Sequence, residues 1–364
     1  MKGAALPLLR GVARQLRPGP AFAVSVAAVT LALLAGALLV WALGKPVGES
    51  IVAFADGAWG SPYSIAASIN RALVFMLVGL GFVLAQRASI TNVGGEGQIA
   101  VGGIAATAVS LYGNVSGLPF GLAFILPMLA AAMAGACWGG IAGVLKVKAG
   151  TNEVISTLLL SFIAIWMVYG SVQSEALLRR PMTTSATLPE SLEIPVSTQL
   201  PLLGGDASMP LHAGLPLGIV LAIAIAVLLS GTVLGLHLRA AGLNPLAARR
   251  AGIAVDRLTV GVLCAAGALG GLAGACMLQG EQYSLKAGFS SGFGFDGLVV
   301  GLLARGSVAG VIAAALLFGF LRSGGINMEM VAGVPTALVV VIQGLIIVTL
   351  AGAALTIQRM EERR

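Results

Sequence analysis

The sequence predicts an all-α, polytopic membrane protein with about ten transmembrane helices. Of its 364 residues, 58% are hydrophobic and only 10% are charged, whereas soluble domains carry about 25% charged residues. Apolar runs of about 18 to 25 residues recur from end to end, and this is the length a helix needs to cross a bilayer. The chain also contains 51 glycines, and small residues let helices pack closely in lipid.

The predicted spans follow from the positions of these apolar runs. They are 21–43, 62–85, 93–113, 118–144, 153–173, 213–235, 258–278, 291–304, 308–322 and 334–355. The segments 291–304 and 308–322 are short for a full crossing, so either is tilted, broken or re-entrant. Glycines next to polar residues predict a broken or re-entrant helix near 90–100 and a second one near 290–297.

The positions of lysine and arginine predict the orientation. These residues collect on the cytoplasmic side of membrane proteins. With ten spans, fifteen of them fall on the side of both termini and five on the other side. We therefore interpret 1–364 as one integral-membrane domain with both termini in the cytoplasm. It has a cytoplasmic N-terminal segment at 1–20, an extracytoplasmic loop at 174–212 and a cytoplasmic loop at 236–257.

A polar, glycine-rich stretch at 92–98 interrupts two apolar runs and is the first candidate for a solute path. Polar side chains in lipid are costly unless they face protein or a wet cavity. Glu96 would lie in the first turn of a helix, where a carboxylate complements the free N–H groups. Either it does only that, or Asn92, Glu96 and Gln98 face a cavity and bind a polar solute. Asn70, inside the second span, is a further candidate for lining the path.

A second stretch, Gly292 to Gly301, echoes the first, because an acid followed by glycine again precedes an apolar helix. In the predicted topology the two elements run in opposite directions, as an inverted repeat would, although so short an echo also arises by chance. Phe293 and Phe295 could stack on a ring or simply pack, and Asp296 is the acid of this stretch. We place all three on the predicted substrate path.

The cytoplasmic loop carries a turn followed by a short basic helix. Gly242-Leu243-Asn244-Pro245 is a turn signal, and proline suits the first turn of a helix over 246–250. Such a helix either lies on the membrane, docks into a partner's groove or is simply solvated.

Two other patterns are interpreted as structural. Asn152 is predicted to cap a helix, and glycines spaced by four residues near 135–143 and 267–271 are predicted to form helix contacts.

Several function classes lack support in the sequence. It has no HExxH motif, no intramembrane histidine cluster and no acid pair spaced to hold Mg²⁺, so we assign no catalytic or metal-binding residue. The three cysteines show no metal spacing and form no disulfide framework. No Walker A pattern is present. The net charge of +7 reflects membrane orientation and does not indicate nucleic acid.

Five ordered motifs between about 60 and 350 resemble a known family. Asn92-Val-Gly-Gly-Glu-Gly-Gln98 resembles a signature of ABC-importer permeases of the ribose and branched-chain amino acid type. Asn152 to Thr157 and Arg239 to Ile253 are similar to a second signature and to the coupling loop of that group's nucleoside or simple-sugar branch. Gly294 to Gly297 and Ala315 to Gly319 also fit. The chain departs from the pattern at Gln86 and at 304–308.

The resemblance implies a permease subunit in the bacterial inner membrane that imports nucleosides or related purine and sugar compounds. Its expected partners are a second homologous permease, an extracytoplasmic substrate-binding lipoprotein and an ABC ATPase. It implies no cofactor in this chain, with ATP and Mg²⁺ bound by the ATPase. The coupling residues are then Arg239, Gly242, Leu243, Asn244, Pro245, Ala248 and Arg249.

Three alternatives remain open from the sequence. A branched-chain amino acid permease would need partners for an ammonium and a carboxylate, and the sequence offers few cations at membrane depth. A secondary transporter would work alone and stop with an uncoupler. A membrane enzyme would be active without any ATPase.

Overall fold

A computed structural model describes residues 30–352, except 32–33, 120, 184–187, 206–207, 336, 343, 346–347 and 350–351. The described residues form an all-helical protein in which the only β-structure consists of isolated bridges. The helices are α1 (Val47–Trp59), α2 (Pro62–Gln86), α3 (Gly95–Tyr112), α4 (Leu122–Ala149), α5 (Glu153–Gln173), α6 (Gly214–Gly231), α7 (Val233–Leu243), α8 (Pro245–Arg250), α9 (Val255–Met277), α10 (Phe293–Leu303) and α11 (Val308–Ala332).

The chain folds into two compact units. The larger unit is Ala58–Ser323 and contains every candidate site described below. The smaller unit combines residues up to Gly57 with those from Gly324 onward. Its described core is the apolar cluster of Val40, Met328, Val334, Leu338 and Val339.

Helix α2 is the centre of the larger unit. From Ala72 to Ala85 every residue is buried, and α6, α9 and α10 pack against it. Ser61 caps its first turn by accepting a hydrogen bond from the backbone N–H of Ser64 at 3.0 Å. A helix as apolar as this one is normally buried or membrane-spanning.

A seam of glycines joins α4 and α9, the most extensively packed helix pair. A Cβ at Gly135 would overlap the carbonyl oxygen of Gly267, and one at Gly271 would overlap that of Ala131. Larger residues would push the two backbones apart, so close packing here needs glycine. This confirms the predicted contact faces.

Six helices among the described residues are long and apolar enough to cross a membrane. They are Pro62–Gln86, Leu122–Ala149, Glu153–Gln173, Gly214–Gly231, Val255–Gln282 and Val308–Ala332. Helices α5 and α6 expose much of their apolar surface, including Trp166 and Val220. The protein is therefore polytopic, but about ten spans are not confirmed.

The difference in span number has local causes. The predicted span 93–113 starts with irregular backbone and polar residues, and 291–304 contains only the 11-residue helix α10, about 16 Å long. The prediction that a span ends at 322 is wrong, because α11 continues through Gly324 and Gly325 to Ala332. The segments 21–43 and 334–355 lie partly outside the described residues.

The connection between α5 and α6 folds over the end of α9. Leu200 donates a backbone hydrogen bond to Gln279 at 2.9 Å, and Ile194 donates one to Tyr283 at 2.8 Å. His212 is buried in this layer and accepts a hydrogen bond from Gly214 through Nδ1. Burial lowers the pKa of His212 to about 4, because the apolar surroundings disfavour the charged imidazolium.

Candidate functional site

The chain breaks between α2 and α3, as the sequence predicts. Ser89 adopts a left-handed conformation just after α2. The backbone then stays non-helical as far as Gly94, and α3 starts at Gly95. Asn92 fixes the backbone just before α3 by accepting a hydrogen bond from the backbone N–H of Gly94 at 2.9 Å. An irregular backbone of this kind is tolerated at membrane depth only inside protein or beside water.

Glu96 joins this break to the second one. Its carboxylate accepts backbone hydrogen bonds from Gly292 at 2.8 Å and from Gly294 at 2.7 Å. These two N–H groups belong to the start of α10, so Glu96 caps a helix nearly 200 residues away. A carboxylate is favoured at this position, because a helix N-terminus carries positive partial charge and unpaired donors.

The starts of α3 and α10 lie in direct contact. A Cβ at Gly294 would overlap the backbone of Gly95 and Glu96. Glycine is therefore required for the two helix ends to meet. The two glycine-acid stretches that echo each other in the sequence are thus brought together in the structure.

Two hydroxyl groups of α5 accept hydrogen bonds from the backbone at the start of α3. The sequence-based candidates did not include these two residues. Gly97 donates its N–H to Ser161 at 3.3 Å, and Val93 donates to Thr157 at 3.2 Å. Asn152 caps α5 through the N–H of Val154, as predicted. The spacing of Thr157 and Ser161, one helical turn apart, was the available signal for a common face.

Asn92 and Gln98 form a reciprocal amide pair. Each donates to the other, at 3.3 and 3.2 Å, and both are buried. The structure therefore places them inside the protein as partners of each other. Asn70 is also buried and donates to the carbonyl of Pro210 at 2.7 Å, but its Oδ1 has no hydrogen-bond partner.

The aromatic residues of α10 differ in their surroundings. Phe293 is buried, with one ring face stacked on Phe75 at 5.0 Å and the guanidinium of Arg322 5.0 Å from its centroid. The Phe293 ring is therefore already in contact with two side chains. Phe295 is half-buried.

Asp296 lies next to a cation, Arg322, that the predicted topology placed at the outer end of the span 308–322. Arg322 Nη1 is 3.8 Å from Asp296 Oδ2, and the two side chains are 11% and 20% exposed. The prediction ended a span at 322 and counted Arg322 among the five cations on the side opposite the termini. The structure instead places Arg322 within α11, about 21 Å from the helix start at 1.5 Å per residue.

Arg71 adds a second cation to the same region. Its Nη1 donates to Ser323 Oγ at 2.6 Å, next to Arg322 in the chain. It also lies within electrostatic reach of Glu281. Two cations, Arg71 and Arg322, therefore lie within apolar helices of the larger unit.

The loop predicted to couple to an ATPase is mostly helical. Asn244 caps α8 by accepting from Ala247 N–H at 3.0 Å, and Pro245 occupies the first turn, as predicted. Ser89 donates to the carbonyl of Gly242 at 2.8 Å, which ties this element to the end of α2. Leu243 and Leu246 are strongly exposed.

The basic residues of this element are exposed, but Ala248 is not. Arg239 and Arg249 lie on the surface, and Arg249 pairs with Asp256. Ala248 is buried against Ala241 and Val255. The structure therefore places Ala248 in a small core and leaves Leu243 and Leu246 as the exposed apolar residues.

The departure at 304–308 lies apart from the start of α10. Arg305 and Gly306 have left-handed backbones just after α10 ends. Arg87 Nη2 donates to the carbonyl of Gly306 at 3.0 Å. The length of α10, Phe293–Leu303, therefore separates this departure from the residues at the start of that helix.

Comparison with known proteins supplies independent information. Residues 64–351 match the family described as branched-chain amino acid transport system / permease component. The chain is 36% identical to a glucose ABC transporter permease of Haloferax volcanii, over 91% of this chain and 87% of that protein. It is 32% identical to a guanosine ABC transporter permease of Bacillus subtilis, over 91% and 93%. A nucleoside ABC transporter permease of Lactococcus lactis is 31% identical, over 90% of both chains.

Each of these three organisms also has a second, more distant permease relative. The identity is 26% over 70% of this chain for Haloferax volcanii, 27% over 71% for Bacillus subtilis and 25% over 68% for Lactococcus lactis. No solved structure gives a significant match.

Proposed function

The chain belongs to the permease family of the branched-chain amino acid transport system, and from this premise we propose that it imports nucleosides or simple sugars as the permease subunit of an ATP-driven ABC importer. A permease of this family is the non-enzymatic membrane component, and ATP is hydrolysed by a separate subunit. The choice of solute rests on the relatives at 31–36% identity, which are named as nucleoside, guanosine and glucose permeases.

A branched-chain amino acid is the second candidate. The family description names that transport system, and Asp296 and Arg322 together offer partners for an ammonium and a carboxylate. We rank it below nucleosides and sugars, because the named relatives just cited match over about nine-tenths of the chain. Nucleosides and these sugars are uncharged and rich in hydroxyl groups, which suits hydrogen bonding by amides and by a balanced pair of charges.

The position of Asp296 and Arg322 supports a solute path along α10. Both side chains are partly exposed, yet they lie on helices flanked by apolar sequence. Ionisable groups at this depth face a bundle interior or a water-filled cavity, since contact with lipid is costly. The face of α10 with Phe295 and Asp296 is therefore proposed to line the path. Glu96, Asn92 and Gln98 would hold the broken helices in place, and Asn70 would lie nearer the long loop.

The element of α7 and α8 is proposed to dock on the ATPase. Exposed leucines beside arginines fit a groove on a soluble partner better than open solvent. Leu243 and Leu246 would supply the apolar contact, with Arg239 and Arg249 at its edge. ATP and Mg²⁺ would be bound by that partner, and this chain would hold no cofactor.

The remaining partners follow from the same family. The paired relatives in three organisms support a heterodimer of two homologous permeases. An extracytoplasmic lipoprotein would deliver the solute to the side of the 174–212 loop. Both termini would then lie in the cytoplasm and the chain in a bacterial inner membrane, in agreement with the charge asymmetry.

Co-purification tests this assignment. The tagged chain is isolated from its native membrane in a mild detergent, and the bound proteins are identified by mass spectrometry. We expect an ABC ATPase, a second permease and a binding lipoprotein. Recovery of the chain alone, under conditions that preserve a known ABC importer from the same membrane, would favour a secondary transporter and contradict the proposal.

A further inference from the structure

The strongest unexplained feature is a group of charged side chains within the apolar helices. Arg71 comes from α2, Glu281 from the end of the α9 span, Asp296 from α10 and Arg322 from α11. Asp296 and Arg322 form a pair of one anion and one cation, which has no net charge of its own. A neutral, polar pair of this kind suits a neutral solute better than an ion.

Asp296 and Arg322 are close but not hydrogen-bonded. Their nearest oxygen and nitrogen are 3.8 Å apart, beyond hydrogen-bond distance. Arg322 donates through Nη2 to the carbonyl of Ser291 at 2.9 Å, while its Nε is buried without a hydrogen-bond partner. The pair therefore keeps both a carboxylate acceptor and guanidinium donors available to a third group.

Vicinal hydroxyl groups match this arrangement. One hydroxyl can donate to a carboxylate while its neighbour accepts from a guanidinium, and bonds to charged groups are the stronger kind. The ring of Phe293, whose centroid is 5.0 Å from the Arg322 guanidinium, provides apolar surface beside the pair. The ribose of a nucleoside and a hexose share such a diol, whereas their other parts differ.

Building on the importer function proposed above, we propose that Asp296 and Arg322 form a subsite that binds the vicinal hydroxyls of the transported nucleoside or sugar. This explains why relatives named for guanosine and for glucose can share one permease architecture. It assigns Arg322, absent from the sequence-based candidates, as a specificity-determining residue.

The test compares solutes that differ by one hydroxyl. Uptake by the whole complex is measured for guanosine against 2′-deoxyguanosine, with leucine as a third arm. Glucose is measured against both 2-deoxyglucose and 3-deoxyglucose, because each of these analogues removes only some of the vicinal diols of the ring and together they remove all of them. The binding lipoprotein is kept saturated, and its own affinities are measured separately, so that differences in transport rate report on the permease. If the wild-type complex transports guanosine, the diol belongs to a ribose, and if it transports glucose, the diol belongs to a hexose.

We expect Asp296→Asn to slow uptake of the hydroxylated solute about tenfold, the loss of roughly one charged hydrogen bond, with the deoxy solute changed less than twofold. Arg322→Lys keeps the charge but loses the planar fork and should show the same selective loss. Asp56→Asn, an exposed acid in α1, is the matched control and should change neither rate. The amount of assembled complex is measured for every variant.

An equal loss for both solutes, or no loss, in correctly assembled Asp296→Asn and Arg322→Lys complexes overturns the diol subsite. Leucine uptake lost in both variants would instead assign the pair to an amino acid. If the wild-type complex transports none of these solutes, the proposed function itself fails, and that outcome is distinct from a change in selectivity.

Discussion

Replacing Glu96 with glutamine tests the contact that joins the two broken helices. Glu96 accepts two backbone hydrogen bonds from the start of α10 and is 2% exposed. Glutamine has the same shape but only one acceptor oxygen, and its NH₂ group is a donor. One N–H of α10 would therefore lose its acceptor and face another donor inside the protein.

The size of the effect follows from these two bonds. A hydrogen bond to a charged group contributes about 1.5–3 kcal/mol, and a buried donor left unpaired costs about 1–3 kcal/mol. Since these contributions overlap, we expect Glu96→Gln to lower the free energy of unfolding by about 3 kcal/mol. At ~2–4 °C per kcal/mol for a domain of this order of size, Tm should fall by roughly 6–12 °C.

The assay is thermal unfolding of the purified protein with a thiol-reactive fluorophore. Cys276 is buried and becomes reactive only when the helices separate, while exposed Cys137 and half-buried Cys264 are replaced by serine in every variant. The matched control is Glu49→Gln, because Glu49 also lies in the first turn of a helix but is exposed. Equal Tm values for the two variants would refute the assigned role of Glu96.

Three further predictions concern other parts of the chain. Burial keeps the pKa of His212 at about 4, below its ordinary value of about 6.5. The free energy of unfolding should therefore fall as the pH drops from about 6.5 towards 4, by up to ~3 kcal/mol. When Tm is measured against pH, this loss should be smaller in the His212→Asn variant. Gly294→Ala should prevent stable assembly, because its Cβ meets the backbone of Glu96, whereas Gly261→Ala, which meets nothing, should give normal yields by size-exclusion chromatography. Leu246→Glu should leave membrane insertion intact but abolish uptake and its coupling to ATP hydrolysis, while Leu203→Glu in the long loop should not.

Local features of the chain were predictable from the sequence. The break before Gly95 and the asparagine caps of α5 and α8 depend on residues within a few positions of one another. Their physical causes are the lack of a Cβ in glycine and the short acceptor side chain of asparagine. These causes act before any tertiary contact forms.

Long-range partners could not be predicted in this way. The sequence placed Glu96 correctly in a first turn, but its hydrogen-bond donors belong to a helix nearly 200 residues later. Ala248 looked like part of a surface helix, and only the packing of Ala241 and Val255 shows that it is buried. The position of Arg322 was missed, because the predicted span ended at 322 whereas α11 continues to Ala332.

ATP-dependent uptake in proteoliposomes tests the central claim most directly. The co-purified complex is reconstituted with its lipoprotein and labelled guanosine or glucose, with ATP either supplied to the ATPase or withheld. We predict uptake only when ATP is hydrolysed, and none from this chain reconstituted alone. Solute uptake by the isolated chain without ATP, abolished by an uncoupler, would contradict the assignment as an importer subunit.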